Sequence, residues 1–179
     1  MIRFMLGVLL GFLIWADQCR AEPYFFAGIG QTTFSYQHEY IQEADRSSSS
    51  TVFGLGYRVS DWLSIEGSVR DLGAYRFVLE KPVQLYRSIY LDVPGYVDLD
   101  VSGLGLSLRW GKAQGWFAKT GIVSLTAEAQ LHTPFGYKLY HERLTLPIIE
   151  GGWAIRSAEF GYTWMPYLHG YGITARFSF

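Results

Sequence analysis

Apolar residues recur at every second position along most of the chain from about residue 23 onward. In the stretch 104–110 the alternate residues are Leu, Leu, Leu and Trp, and the residues between them are Gly, Ser and Arg. A period of two is the pattern of a β-strand that has one face in apolar surroundings. The pattern predicts eight strands, which cover about 23–36, 51–59, 62–71, 103–110, 116–130, 147–155, 158–164 and 171–179.

The two faces of these strands differ in chemistry. One face carries Leu, Ile, Val, Phe, Tyr and Trp, whereas the other combines glycines with Ser, Thr and most of the charged residues. Glycines beside bulky charged side chains suit a narrow barrel interior, where polar groups meet one another. We therefore predict an all-β fold, an eight-stranded antiparallel up-and-down transmembrane β-barrel with its apolar face toward lipid. A soluble barrel that carries a small ligand inside is the alternative with the opposite orientation.

The polar face predicts a charged lumen. Its predicted members are Arg58, Glu66, Arg70, Arg109, Lys119, Glu128, Glu150, Glu159 and Arg176. Charges in a lumen must be paired and hydrogen-bonded, because an isolated charge away from water is costly. The interior of an eight-stranded barrel is just wide enough for its own side chains. The prediction is therefore a plug of ion pairs that closes the barrel, and a narrow, porin-like ion-conducting pore is the alternative.

The predicted connections alternate between long and short. The long ones are 37–50, 72–96 and 131–146, the short ones are 60–61, 111–115 and 156–157, and the last link, 165–170, is of modest length. Short periplasmic turns and long extracellular loops are the rule for outer-membrane barrels. Val97, Leu99 and Val101 alternate out of phase with the residues from Leu104 onward. This change of phase predicts a bulge or an extension above the membrane.

Aromatic residues on the apolar face concentrate near the strand ends. Those near the short turns are Tyr57, Trp110, Trp116, Phe177 and Phe179, and those near the opposite end are Tyr162 and Trp164. Membrane barrels carry aromatic girdles at both interfaces with water. The placement of these residues therefore supports a barrel that crosses a membrane.

The N-terminus predicts a secretory signal peptide. Arg3 precedes an uncharged apolar run over 4–16, and Cys19 and Ala21 provide small residues at the positions that a signal peptidase reads. The run has 13 residues, fewer than the roughly 20 that a helix needs to cross a bilayer. We predict a signal peptide at 1–21 and an outer-membrane β-barrel domain at 22–179. The mature domain then has no cysteine.

The composition narrows the class further. Of 179 residues, 49% are hydrophobic and 17% are charged, which excludes intrinsic disorder and a disulfide-stapled mini-protein. The formal net charge of -1 provides no bulk attraction for nucleic acid. After the signal peptide, polar residues interrupt every apolar stretch before it reaches the length of a spanning helix. A membrane-embedded form of this chain therefore crosses as strands.

Four segments carry a resemblance to the small OmpA-type outer-membrane barrel domain family. The chain ends in YGITARFSF at 171–179, which resembles the C-terminal strand signature of bacterial outer-membrane proteins. YFFAGIG at 24–30, GLGYRVSDWLSIEGSVRDLG at 54–73 and PIIEGGWAIRSAEFGYTW at 147–164 resemble strands and hairpins of that family in the same order. The family's lumen pairs do not carry over directly, because Ala154 stands where its sixth strand has an acid.

The resemblance implies an integral protein of the Gram-negative outer membrane, in contact with lipid and lipopolysaccharide. It also implies that the barrel assembly machinery recognises the last strand. The residues that match that signal are Tyr171, Ile173, Phe177 and Phe179.

Catalytic and metal chemistry find little support in the sequence. Barrels that resemble lipid A deacylases need a His-x-Ser pair on one strand face. The four histidines, His38, His132, His141 and His169, are followed two residues later by Tyr40, Pro134, Arg143 and Tyr171. No two of them have the spacing of metal ligands. We predict no catalytic residue, no metal and no cofactor, and a lipid-modifying barrel enzyme acting on lipid A or phospholipid remains the alternative.

Recognition residues are concentrated in the first two predicted loops. They are His38, Glu39, Tyr40, Glu43, Asp45, Arg46 and Ser47 to Ser50 in the first, and Tyr75, Arg76, Phe77, Tyr86, Arg87, Tyr90 and Tyr96 in the second. Tyr and Arg are the usual anchors of recognition surfaces, and basic residues also pair with lipopolysaccharide phosphates. The serine run is expected to be a flexible tip. We predict a structural or surface-interaction, adhesin-like role at the cell surface, with an extracellular ligand that binds through these loops.

Overall fold

The computed structural model describes residues 22–35, 41–79, 83–86, 89–91, 95–133 and 136–178, which are almost entirely strand. The strands are β1 (Glu22–Phe34), β2 (Ile41–Asp45), β3 (Ser47–Ser60), β4 (Leu63–Leu79), β5 (Val83–Tyr86), β6 (Ile89–Leu91), β7 (Gly95–Trp110), β8 (Gly115–Thr133), β9 (Gly136–Ile155), β10 (Ala158–Met165) and β11 (Leu168–Ser178). The predicted signal peptide at 1–21 and Phe179 lie outside the described residues. Over the described ranges, no helix has the length and apolar character needed to span a membrane.

Eight of the strands within the described residues form one closed antiparallel ring. Going round the ring, the order is β1, β3, β4, β7, β8, β9, β10 and β11, and β11 pairs back with β1. β2 pairs with the C-terminal part of β4, from Arg76 to Leu79, and β5 and β6 pair with each other. The ring confirms the predicted eight-stranded antiparallel up-and-down β-barrel.

Several strands are longer than the alternation predicts. β9 begins at Gly136 rather than near 147, and the serine run Ser47–Ser50 pairs with β1 as the first part of β3. The prediction of a flexible serine tip, and of loops over these parts of 37–50 and 131–146, is therefore wrong. Serines give no hydrophobic period, so only the pairing with β1 identifies them as strand.

The barrel has its apolar face outward in the part that includes the short turns, which we call the lower end. Leu106 is 57% exposed, whereas Arg109, on the same strand, is 2% exposed. Large apolar side chains form an exposed belt around this part of the wall; among them are Ile29, Phe53, Leu55, Ile65, Val69, Leu104, Ile122, Ile149, Phe160 and Ile173. The orientation agrees with a barrel in lipid and disagrees with a soluble carrier barrel.

The polarity of the wall reverses partway up β7, toward the end that we call the upper end. Leu104 points outward and is 64% exposed, whereas Val97 and Val101 are 1% and 4% exposed. β7 pairs with β8 along its length without a register shift, so the change of phase is not a bulge in β7. The strand continues beyond the apolar belt with apolar residues inside and polar residues outside, as in a water-soluble barrel. The alternative prediction of an extension is the one that the structure supports.

The bulge lies on the neighbouring strand, β4. The register of β4 with β7 shifts between Asp71 and Gly73, and Gly73 has a φ of 90°. The Gly73 N–H donates to Asp71 Oδ1 over 2.9 Å, and the Ala74 N–H donates to Ser48 Oγ over 3.0 Å. A left-handed φ of this kind is readily adopted only by glycine. Before the bulge the even-numbered residues up to Leu72 point inward, and the extra residue changes this phase so that Tyr75 and Phe77 point inward after it.

The interior has two layers. The lower layer contains ionised side chains, and the upper layer is an apolar core beneath the upper rim. The buried members of this core are Leu72, Tyr75, Phe77, Val101, Val123, Leu125, Ile148, Met165 and Leu168. The apolar layer was not predicted from the sequence, because its apolar residues point inward whereas those of the lower wall point outward.

The upper rim is uneven. The predicted link 165–170 is a two-residue turn between Met165 and Leu168. The hairpin of β10 and β11 therefore ends closer to the lower end of the barrel than the hairpin of β8 and β9 does. β8 and β9 remain paired much further, as far as Thr133 and Gly136. From Tyr137 to Ile148, β9 therefore has β8 on one side and no described strand on the other.

Candidate functional site

Lys119 on β8 is the centre of the charged layer. Its Nζ lies 3.1 Å from Glu66 Oε2 and 3.3 Å from Glu150 Oε1. A third carboxylate, Glu159 Oε2, is 3.5 Å away. The barrel register places Glu150 directly opposite Lys119, and the curvature of the wall brings the other two carboxylates across the lumen. One ammonium group with three hydrogen-bond donors thus joins carboxylates from three different strands.

Two arginines complete the lower part of this network. Arg109 donates to Glu159 Oε1 from Nε over 3.1 Å and from Nη2 over 2.7 Å. It also donates to the carbonyl oxygens of Gly111 and Lys112 at the short turn. Arg176 Nη2 lies 3.0 Å from Glu66 Oε1 and 2.8 Å from Glu159 Oε2. Guanidinium groups that bridge several acceptors link strands across the lower end of the lumen.

The structure places most of the predicted lumen residues in a single network. Its members are Glu66, Arg70, Arg109, Lys119, Glu150, Glu159 and Arg176. Arg58 is separate, because it pairs with Glu22 over 3.3 Å at the lower rim, where both side chains are partly exposed. The expectation that Glu128 points inward is wrong. In the upper part of β8 its side chain is outward and lies 3.4 Å from His141 Nδ1.

Aromatic rings pack around the ion pairs. The sequence did not predict these rings as part of the interior. Tyr24 and Phe26 are each 2% exposed, and the Tyr24 hydroxyl donates to Glu66 Oε1 over 2.5 Å. Lys119 Nζ lies 5.4 Å from the ring centres of both Phe26 and Phe117. These rings exclude water and attract the cation through their faces. The available signal was their phase, since Tyr24 and Phe26 share the face of Gly28 and Gly30 on β1.

Glycines on β3 provide the space for two of these rings. A Cβ atom at Gly54 would come within 2.2 Å of the Phe26 ring, and one at Gly56 within 2.1 Å of the Tyr24 ring. Both glycines face the opposing ring across the β1–β3 ladder. Each large ring on one strand is thus matched by the absence of a side chain on the next.

The upper outer wall carries a small polar cluster on β4, β7 and β8. Arg76 makes a bidentate ion pair with Asp98, with distances of 2.6 Å and 3.1 Å. His132 Nε2 is 3.6 Å from Asp98, and its ring stacks on Tyr96 with centroids 4.4 Å apart. Arg76 also lies over the Tyr96 ring at 5.1 Å. These side chains hold three strands together on the face that points to solvent.

Several residues predicted for loop recognition have other positions. Tyr75 and Phe77 are 1% and 3% exposed inside the upper apolar core. The Tyr75 hydroxyl lies 2.7 Å from Thr32 Oγ1 and 2.7 Å from the Leu72 carbonyl oxygen. The prediction that Tyr75 and Phe77 belong to an exposed binding loop is therefore wrong. The structure does not describe the side chains of His38, Glu39, Tyr40, Glu43, Asp45, Tyr86, Arg87 and Tyr90.

The barrel geometry is shared with solved outer-membrane proteins. Two crystal structures of Ail, the attachment invasion locus protein of Yersinia pestis, superpose with TM-scores of 0.56 and 0.55. Each is 9% identical and covers 88% of this chain and 99% of its own, and one of the two is a complex with the heparin analogue sucrose octasulfate. This chain has the fold of a small OmpA-like outer-membrane β-barrel.

The likeness to Ail concerns the fold alone, because the identity is so low. The N-terminal β-barrel domain of Pseudomonas aeruginosa OprF, 11% identical over 88% of this chain and 100% of that domain, superposes less closely, with a TM-score of 0.45. The sequence matches no protein-family model, and no curated protein shows significant sequence similarity to it.

The three described histidines lie beside carboxylates or an aromatic ring. His132 and His141 each lie beside one carboxylate on the outer wall, and the ring of His169 contacts the Tyr162 ring at 6.2 Å. No group of three or more potential metal ligands occurs within the described residues.

Proposed function

We propose that this chain is an integral protein of the Gram-negative outer membrane whose upper wall binds an extended peptide segment outside the cell. Its role is structural and adhesive, and it is neither an enzyme nor a pore. The part of β9 from Tyr137 to Ile148 carries the proposal, because it offers both an exposed surface and a sheet edge that has no neighbour among the described strands.

The apolar belt supports insertion into a bilayer. Leu104, Leu106 and Ile122 are each more than half exposed, as are Trp116 and Trp153 near the lower turns. Exposed apolar side chains in a continuous band are unfavourable in water, and they are the lipid-facing surface of a membrane barrel. The short turns then lie on the periplasmic side, and the upper rim lies outside the cell.

Export and assembly have matching features. The segment 1–21 is proposed as the signal peptide, and β1 begins directly after it at Glu22. Tyr171, Ile173 and Phe177 point outward on β11, where the assembly machinery can contact them before the barrel closes. With Phe179 they form the proposed assembly signal.

The two filled layers of the interior support a closed lumen. Ion pairs around Lys119 obstruct the lower half, and the core around Val123 and Met165 obstructs the upper half. An ion that crosses this barrel must both break a buried network and enter an apolar layer, and each step is costly. Planar-bilayer recording tests this directly, since we expect no discrete current steps, and steady single-channel conductance contradicts a closed lumen.

The upper part of β9 has the properties of a β-augmentation site. From Tyr137 to Ile148 one edge of the strand has no described neighbour, so half of its main-chain groups point away from the sheet. Unpaired edges of this kind add a further strand from a partner, and the outward side chains provide selectivity. Tyr137 and Leu139 are 75% and 47% exposed beside this edge and provide apolar contacts.

The charge of the upper wall favours a peptide over a polyanion. Arg76 is paired with Asp98, and His141 is paired with Glu128. Ail has been crystallised with a sulfated heparin analogue, but a wall that alternates both signs of charge lacks a positive field that would attract such a ligand.

A shortened wall tests the proposal. Deletion of Ala127–Glu142, with Asn-Gly joining Thr126 to Arg143, leaves a short hairpin because these two residues are paired across the β8–β9 ladder. We expect cells that display this variant to lose binding to arrays of immobilised extended peptides. A matched deletion of Val83–Leu91 removes the β5–β6 hairpin and is expected to retain binding. Equal binding by the shortened wall, at equal surface display, contradicts the proposal.

A further inference from the structure

A cavity of about 50 Å³ lies inside the barrel between the charged layer and the apolar core. Arg70 and Glu150 border its lower side, and Leu72 and Met165 border its upper side. The rest of its lining includes the hydroxyl-bearing residues Ser50, Thr163 and Thr174. The cavity therefore combines one buried ion pair with several neutral hydrogen-bond donors.

A row of glycines creates this space. Gly30, Gly172 and Gly161 are paired in register across β1, β11 and β10, and all three line the cavity. Because none of them has a side chain, the wall recedes at this level. Cavities with polar linings hold water or ions, whereas fully apolar cavities remain dry.

The charged layer has an excess of positive charge. Among the described residues the network contains four cations, Arg70, Arg109, Lys119 and Arg176, and three carboxylates, Glu66, Glu150 and Glu159. Its net charge is therefore +1 inside a barrel wall. A buried charge without a counter-charge is strongly unfavourable.

The excess is concentrated at Arg70. Lys119 contacts three carboxylates, Arg176 contacts two, and Arg109 contacts one, Glu159, from two nitrogens at 2.7 Å and 3.1 Å. Arg70 also reaches one carboxylate, Glu150, but over a longer 3.4 Å. Glu150 is shared with Lys119 at 3.3 Å. Arg70 donates otherwise to the neutral Ser68 Oγ over 3.2 Å. The least compensated cation of the network is thus the one that borders the cavity.

The size and charge of the site define its ligand. At about 10–15 Å³ for each water-sized position, the cavity of about 50 Å³ accommodates about three to five such positions. A sulfate or phosphate dianion carries more negative charge than the excess of +1 compensates. It is also repelled by the Glu150 carboxylate, which borders the cavity. We propose that the cavity binds one small monovalent anion of the halide class, with chloride as the physiological ligand, held by Arg70 and the hydroxyl groups of Thr163 and Thr174.

Halide-dependent stability tests the site in the purified, folded protein. We expect the urea midpoint of unfolding in detergent micelles to rise saturably when sodium chloride or bromide replaces sodium gluconate at constant ionic strength, because the ligand binds only the folded state. Arg70→Gln is expected to abolish this rise. Thr174→Val keeps the side-chain shape, and its rise is expected to need a severalfold higher halide concentration.

A control variant separates a bound ion from general screening. Arg58→Gln makes the same change of charge at the lower rim, away from the cavity, and is expected to retain the full halide dependence. An equal halide effect in Arg70→Gln, or none in the unsubstituted protein, overturns the proposal.

Crystals grown in sodium bromide give the direct result. We expect an anomalous peak in the cavity within hydrogen-bond distance of the Arg70 guanidinium. Bromide peaks confined to the protein surface, with ordinary water density in the cavity, overturn the proposal. Because this experiment uses the unsubstituted protein, it decides the matter even when Arg70→Gln does not fold.

Discussion

Lys119 and Glu150 face each other across the β8–β9 ladder, and Lys119 Nζ lies 3.3 Å from Glu150 Oε1 inside the barrel wall. The lysine side chain is 4% exposed and the glutamate side chain 9%. The same ammonium group also contacts Glu66 and Glu159. Removal of the Lys119 ammonium group therefore leaves three neighbouring carboxylates that repel one another, and each of them has lost one cationic partner.

Lys119→Met is expected to lower the free energy of unfolding by about 3–5 kcal/mol, the usual cost of breaking a buried ion pair from one side. Urea unfolding in detergent micelles measures this cost. Lys112→Met, a matched change at an exposed lysine of the short turn, is expected to be nearly neutral. A small effect at Lys119 shows that water enters the lumen and replaces the ammonium group.

Glycine positions in β3 are expected to be intolerant of even one methyl group. Gly54→Ala places a Cβ within 2.2 Å of the Phe26 ring, and overpacking of this kind costs about 1–3 kcal/mol. Gly67→Ala is the control, because no atom lies within 4 Å of its new Cβ on the outer wall. Thermal or urea unfolding of both variants tests the prediction, and equal stability of the two contradicts tight packing against Phe26.

The reversal of polarity along β7 predicts where the membrane ends. Leu106→Arg places a charge in the apolar belt and is expected to destabilise the barrel by about 2–4 kcal/mol in a bilayer. Ser102→Arg, four residues closer to the upper end on the same outward face, is expected to cost little because this position lies beyond the belt. Reversible unfolding in lipid vesicles compares the two, and similar costs place the membrane boundary higher on the wall.

The hydroxyl group of Tyr75 links the upper core to β1 through Thr32 and to the β4 bulge through the Leu72 carbonyl oxygen. Tyr75→Phe keeps the ring and is expected to cost about 1 kcal/mol, the usual net contribution of a buried hydrogen bond. Tyr137→Phe is the control, because this tyrosine is 75% exposed. Urea unfolding at matched conditions checks the difference, and identical midpoints show that water satisfies the partners of Tyr75.

Hydrophobic period alone was sufficient to predict the lower half of the barrel. The alternation from Leu104 to Trp110 identifies the outward face, because outward residues are apolar where lipid surrounds the wall. The same rule failed for 136–146 and for Val97 to Val101. In these segments the solvent outside changes from lipid to water, so the same backbone carries the opposite pattern.

The sequence by itself determined the ring of strands, the outward face of the belt and, apart from Glu128, the charged residues that point inward, because a two-residue period and the cost of burying charge are local constraints. Only the tertiary structure decided which partners those charges have, since Lys119, Glu66 and Glu159 come from distant segments that the closure of the ring brings together. It also decided the height of β8 and β9 above the belt and the cavity beside Arg70. These features depend on the register between strands, and no single strand carries that information.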